Sequence, residues 1–500
     1  MGFPSNWPAE TFLLMRMLLL TGGAGLLLAS AAWAAPPTYD LRTAGPGGSS
    51  WITPVKSQGK LSTCWSFSTA AAFQSSLLRQ GIVTDPNSPL VDLSEWHDAT
   101  HNGIDHPDYD PPYNAKGTGG SQRYTVAYYT RGQGVWNIDS ATGPQVAGGG
   151  PVLESQDPLN VYPTVEMEQK LNLLPYVPPA DQKPAYALDN AEFLWWDGLV
   201  PGQPVMPLAQ QLERMKTAVI DHGALSVAMY YTPSSYNEAT HTYYFSGPST
   251  TDTDHLVTVA GWDDNQIVPG APAPGAWLIQ NSWGTEFGDQ GYFWISYQDA
   301  LINKFPATLI GGDLSAGSRV WQNQLLYPGA STGLGQGDVS EAAAVIQVGA
   351  NTVVESLGLY AAYAEQEVEI RVYDRWDANG PADLLTSFSH SFDLPGYALV
   401  DLPTALARAT AGSLVVTVDY GSEFASPVPY ETVAGAVAGL SYVRNAQGVW
   451  EDLATSTSAG VFAVKVVTTP EPSALLLASL AALGLARGQR ATARVKSHCS

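Results

Sequence analysis

Only one cysteine stands in the body of this chain. Of 500 residues two are cysteine, Cys64 and Cys499, and Cys499 closes a basic C-terminal tail. A body with a single thiol builds no internal disulfide, so its domains must be held by apolar cores and hydrogen bonds. Five hundred residues suffice for two or three such cores. The lone thiol is then either reactive or inert and buried. Its surroundings, Gln58-Gly59-Lys60-Leu61-Ser62-Thr63-Cys64-Trp65-Ser66-Phe67, favour the reactive reading.

Both ends read as processing signals. Residues 18–33 are apolar, Arg16 precedes them and Ala32-Trp33-Ala34 closes them, which is a signal peptide over 1–34 with an A-x-A cleavage site. At the other end Thr469-Pro470-Glu471-Pro472-Ser473 leads into an apolar run, 474–486, and then Arg487, Arg490, Arg494 and Lys496. The run is short for a full span, and the positive flank would stay in the cytoplasm. Motif, run and basic finish resemble the PEP-CTERM sorting signal of Gram-negative bacteria that make extracellular polysaccharide. That resemblance implies an exosortase cut near the Pro-Glu-Pro motif within 469–500, and signal peptidase and exosortase as processing partners. The mature chain would be secreted or held at the outer surface, its apolar segment only transiently in the inner membrane. Trimming both ends removes five bases and one acid, moving the formal charge from −23 to −27. Such a surface repels nucleic acid.

Between the signals the pattern changes once. Residues 35–311 mix helical and strand periodicities, 311–318 form a Gly/Ser-containing link, and 319–468 alternate apolar and polar residues at several places. Val368, Ile370 and Val372 alternate with Glu369 and Arg371; Leu414, Val416 and Val418 with Val415, Thr417 and Asp419; Phe462, Val464 and Val466 with Ala463, Lys465 and Val467. This argues for a β-sandwich. A helix begins at or beside Cys64, capped by Ser62 or Thr63 and ended by Gly81. A thiolate at a helix N-terminus is stabilised by free amides and the helix dipole.

Two further segments carry chemistry. Asp254-His255-Leu256-Val257 puts a histidine at the head of an apolar strand, and Gln280-Asn281-Ser282-Trp283-Gly284 puts an asparagine at the end of another. An imidazole beside Cys64 favours a thiolate–imidazolium pair and later protonates a leaving amine. An amide at Asn281 orients the ring, and Trp283 shields that bond. The Gln58 side chain and the Cys64 N–H are candidate donors to an oxyanion.

With these residues in place, residues 35–311 resemble the papain-like cysteine peptidases. The resemblance implies an α+β fold of two subdomains, one helical and one β-barrel-like, followed by the sandwich. It implies Gln58, Cys64, His255 and Asn281 as catalytic residues, with Gly119, Gly120 and Trp283 as substrate-binding ones. It also places Leu225-Ser226-Val227-Ala228-Met229 beside the pocket for the second residue before the cut. The specificity residue at the base of that pocket falls within 297–308 and is not fixed by alignment. Residues 319–468 are similar to the lectin-like domain found after some bacterial peptidases of this type, which makes carbohydrate a candidate ligand.

The chain departs from the family pattern in three ways. Leu61 and Thr118 replace a disulfide pair the family carries. His255 stands 191 positions after Cys64, with the excess mainly in a Pro- and Gly-rich stretch, 143–204, read as a lid. Only 23 positions separate Ala35 from Gln58, so no inhibitory propeptide is expected. No cofactor or metal is called for. His97, His101 and His106 lack zinc spacing, and a hairpin turn at Asn379-Gly380 accounts for the nearby acids. The expected activity is hydrolysis of peptide bonds through a thioester at Cys64. The rivals are a silent surface-binding protein and an acyl or amide transferase using the same thiol.

Overall fold

The computed structural model describes residues 35–59, 61–88, 91–95, 98–99, 119–130, 137–139, 143–145, 186–194, 206–313, 318–323, 340–421, 427–432, 436–455 and 460–471. Residues 1–34, read as a signal peptide, His97, His101, His106, Thr118 and the apolar run 474–486 lie outside the described residues. Among the described residues no helix is long and apolar enough to cross a membrane.

The helix Cys64–Gln80 is the central post of the N-terminal half. Fourteen of its residues are buried, and its small faces explain how. Ser68 donates to the Val257 carbonyl at 2.7 Å and meets Ser226 at 2.8 Å, so the helix lies directly on two strands. Gly81 ends it in the left-handed conformation, φ 75°, its N–H turned back to Leu77 and Leu78. The predicted side-chain cap is not made: the Thr63 hydroxyl is buried without a partner, while the Ser66 and Phe67 amides reach the Thr63 carbonyl.

Strands Leu225–Met229, His255–Asp263, Ala276–Gln280 and Tyr292–Ser296 form an antiparallel sheet beside this helix. The helices Gln122–Thr130 and Leu208–His222 pack against the post as well. Farther along the chain, strands Gly380–Phe392, Gln366–Asp377, Gly412–Asp419, Glu341–Val348, Ser441–Arg444 and Trp450–Asp452 make a six-stranded sheet. It faces Arg319–Gln322, Val464–Pro470, Thr352–Ala361 and Gly396–Arg408 across one apolar core, which includes the predicted Val368, Ile370, Val372, Leu414, Val416 and Val418. The Asp377–Gly380 pairing confirms the hairpin turn.

The two halves share a sheet. Strand Tyr186–Phe193 pairs with Ala307–Asp313 on one side and with Gly396, Tyr397 and Ala398 on the other. A thirteen-stranded sheet therefore runs from the sandwich into the peptidase-like half. This strand belongs to the stretch read as a lid; its described part is structural. One apolar cluster joins Phe73 and Leu77 of the post to Leu188, Phe193, Tyr360, Tyr397 and Ala463. That explains why the last strand is buried on both faces, Lys465 included. Its ammonium bonds Gln322 and lies 5.8 Å from the Tyr360 ring. The strand continues to Pro470, the first residue of the Pro-Glu-Pro run, and the Glu471 amide bonds the Asn351 carbonyl.

Gly396 sets the closeness of the seam: a Cβ there would lie 1.8 Å from the Ala191 carbonyl oxygen. Overpacking costs about 1–3 kcal/mol, so Gly396→Ala should lower stability by about that much in urea denaturation. Gly412→Ala, whose methyl meets nothing closer than the Arg408 side chain at 3.6 Å, should change it little. Equal effects would show that the seam carries no load.

Candidate active site

Cys64 is the first residue of its helix. Its side chain packs with Trp65, Ala99, Ala228 and Leu256, and Tyr124 and Phe305 lie partly buried against the same set. The residue is 7% exposed. Burial pushes the thiol up, and Asp254 adds to this; the backbone N–H groups of Leu256, Trp65 and Cys64 itself oppose it. Leu256 packs in the same cluster as Cys64, so the thiol lies beside the residue that follows His255.

His255 opens its strand, and Asn281 directly follows the neighbouring one. The antiparallel register, Thr258 opposite Gln280, brings the two side chains together. Asn281 Oδ1 lies 2.9 Å from His255 Nε2 and accepts the Ser282 amide at 2.9 Å. Because a backbone N–H can only donate, the shared atom is the carbonyl oxygen. The ring therefore donates through Nε2, and in its neutral form leaves Nδ1 as the acceptor. The Trp283 indole stacks on the imidazole at 4.6 Å and 18°. Burial lowers the imidazole to about 4, partly offset by the Asn281 bond. The expected ion pair is thus not favoured by either group alone. Proton transfer from thiol to ring would create both charges together, each as the other's counter-ion.

Gln58 is locked from both sides. Its Oε1 accepts the Ser282 hydroxyl at 2.6 Å, its Nε2 donates to the Leu61 carbonyl at 2.6 Å, and its own amide bonds the Ser282 carbonyl at 2.8 Å. The loop before the helix is so stitched to the Asn281–Gly284 segment, with Ser57 bridging Trp283. Gly119 has φ 80°, a left-handed backbone. A Cβ on Gly120 would meet the Trp65 ring at 2.5 Å, so the glycine is needed for that approach. Among the described residues no group of three or more His, Cys, Asp or Glu side chains is placed to hold a metal ion.

Sequence reasoning missed several supports. Ser282 was not singled out, and no spacing signal marks a hydroxyl aimed at Gln58. Lys56, partly buried, pairs with the buried Glu95 at 2.6 Å. Asp98 accepts Ser66 and Thr125 hydroxyls at 2.7 and 2.8 Å, tying the post to the helix after Gly120. Phe305, from the stretch that resisted alignment, lies against the nucleophile's own cluster.

A two-lobed fold with a cysteine-headed helix facing a histidine- and asparagine-bearing sheet is that of the papain-type peptidases. Comparison gives the particulars. Residues 202–306 match the family described as papain family cysteine protease, and residues 321–468 match the lectin-like domain. The chain thus carries a papain-family peptidase domain followed by a lectin-like domain. It is 24% identical over 259 residues to a cathepsin L-like peptidase of Aedes aegypti, covering 51% of this chain and 58% of that protein. To rat (Rattus norvegicus) procathepsin L it is 27% identical over 269 residues, covering 52% and 60%. It therefore spans about three fifths of the curated relatives it matches. The solved cysteine protease and lectin-like domains of Cwp84, a surface layer associated protein of Clostridium difficile, superpose with a TM-score of 0.64 and 20% identity. That match covers 87% of this chain and 89% of that one. Both lobes and the appended sandwich therefore share one fold.

The imidazole supplies a pH signature. Its folded value of about 4 lies below the ordinary 6.5, so the fold favours the neutral ring. That contribution is complete above pH 6.5 and is lost as pH falls through 4, amounting to roughly 3 kcal/mol at most. Urea denaturation at pH 4.5 and 7 should show the native chain losing more stability on acidification than His255→Gln. Equal losses would mean that the ring is already charged in the fold.

Proposed function

We propose that this chain is an exported cysteine endopeptidase. The observation that carries the reading is the His255 ring, fixed by Asn281 and covered by Trp283, on the strand whose next residue, Leu256, packs with Cys64. In this mechanism His255 Nδ1 takes the thiol proton as Sγ attacks the peptide carbonyl. The Cys64 N–H and the second proton of Gln58 Nε2 receive the oxyanion. The imidazolium then protonates the leaving amine, and water attacking the thioester returns the thiol. The Ser282 and Leu61 bonds hold the Gln58 amide in place before reaction. Signal peptidase would act after Ala34 and exosortase near Pro470-Glu471-Pro472, leaving a secreted or surface-held product. The domain limits read from the sequence, 35–311 and 319–468, are part of this proposal, and the lectin-like match supports a carbohydrate ligand for the sandwich.

The test is cleavage of a mixed peptide library by the export-processed chain, with and without an added amine acceptor. Cys64→Ser should lower turnover by roughly 10³-fold or more and abolish labelling by iodoacetamide. Equal turnover by the variant would remove the peptidase reading, as would products formed only with the amine. Asn281→Ala should slow cleavage about tenfold through loss of one orienting bond.

The apolar set around Cys64 supports an apolar side chain on the acyl side of the cleaved bond, with Phe305 and Tyr124 limiting its size. Phe305→Ala should shift the library preference toward larger apolar residues at one acyl-side position. An unchanged profile would place that contact elsewhere.

A further inference from the structure

The outer face of the six-stranded sheet carries a feature that core packing does not require. Ala343, Val345 and Val415 are buried there, on the side opposite the sandwich core, beneath the partly exposed rings of Tyr373, Trp376, Tyr442 and Trp450. The strands bearing Trp376 and Tyr442 are separated by two others. A bulge between Val372 and Tyr373 lets the end of the first strand bend over the face. Trp376 then stacks on Tyr442 at 3.9 Å and 14°, with Trp450 edge-on at 5.6 Å. The hairpin glycine Gly380 packs on the Trp450 ring, where a Cβ would sit 2.8 Å away. Val449, beside Trp450, is 56% exposed.

Polar groups edge this shelf. Glu341 accepts Arg444 at 2.9 Å and Arg371 at 3.3 Å, and the Arg444 guanidinium lies 5.9 Å from the Trp450 ring. Thr417 sits between Arg371 and Ala343 in the cross-strand row, and its hydroxyl is buried without a partner. Rings that offer flat apolar surface next to paired guanidinium and carboxylate groups match one kind of ligand. The CH face of a pyranose stacks on the rings while its hydroxyls both donate and accept. Arg444 is neutralised by Glu341, and the chain as a whole is strongly acidic, with a net charge of −23. Both facts disfavour a polyanionic glycan.

We propose that Trp376, Tyr442 and Trp450, edged by Arg444 and Glu341, form a binding shelf for a neutral polysaccharide. This rests on the carbohydrate reading of the lectin-like domain, and is independent of the peptidase chemistry.

The test is affinity electrophoresis of the full Cys64→Ser chain, chosen to prevent self-digestion, in native gels cast with β-glucan, galactomannan, xylan or a sulfated glycan. The expected result is retardation by at least one neutral polysaccharide. Trp450→Ala should abolish it, and Arg444→Ala, at a half-exposed side chain, should weaken it about tenfold. Thermal melting checks that both variants fold. No retardation in any neutral gel overturns the shelf together with the carbohydrate reading. Retardation unchanged in both folded variants overturns the shelf alone. Retardation only by the sulfated glycan, or a dimer in sedimentation that Arg444→Ala dissolves, assigns the face to another occupant and overturns the proposal.

Discussion

The chain is held together by one strand of the peptidase-like half that also pairs with the sandwich. Residues Tyr186–Phe193 close the sheet of the peptidase-like half along Ala307–Asp313 and open the sheet of the sandwich at Gly396. Without disulfides in the described body, this backbone ladder and the apolar cluster beneath it do the work that cross-links do elsewhere. Phe73 and Leu77 of the catalytic helix lie in that same cluster as Tyr360 and Tyr397 of the sandwich. The helix that presents Cys64 is therefore braced from behind by the appended domain.

At the front, the site is organised around one acceptor atom. Asn281 Oδ1 takes the Ser282 amide and the His255 ring together, which settles the amide orientation, the ring tautomer and the direction of Nδ1. Ser282 then carries the constraint across to Gln58 through its hydroxyl. Three residues in a row thus orient the ring, hold the Gln58 amide and cover the imidazole. The cost is burial: thiol and imidazole both sit where water cannot stabilise a charge, so each is biased to neutrality until the other ionises.

The papain-like fold with its appended sandwich was legible in the sequence; the strand that joins the two was not. Cys64, His255 and Asn281 were singled out because each sits at the start or end of a strongly patterned element. The alternating strands of the sandwich were equally plain, since one of their faces meets the core. Alternation reports burial on one face only, so it does not show that the strand bearing Lys465 is covered on both. The seam strand was hidden in a Pro- and Gly-rich stretch: its alternation slips by one residue at Asp189–Asn190, and its two distant partners leave no mark in the local sequence. Thr63 shows the same limit at small scale: a good cap residue is present, but its hydroxyl points into the interior.

The shared sheet also governs what a nick can do. A backbone cut in the short connection between Asp313 and Arg319 would sever the chain covalently without releasing either portion. Strand Tyr186–Phe193 would still be laddered to Gly396–Ala398, and Lys465 would still be sealed under the interface. Fragments of such a molecule would travel as one particle until denatured, so the integrity of the chain and the integrity of the particle are separate properties.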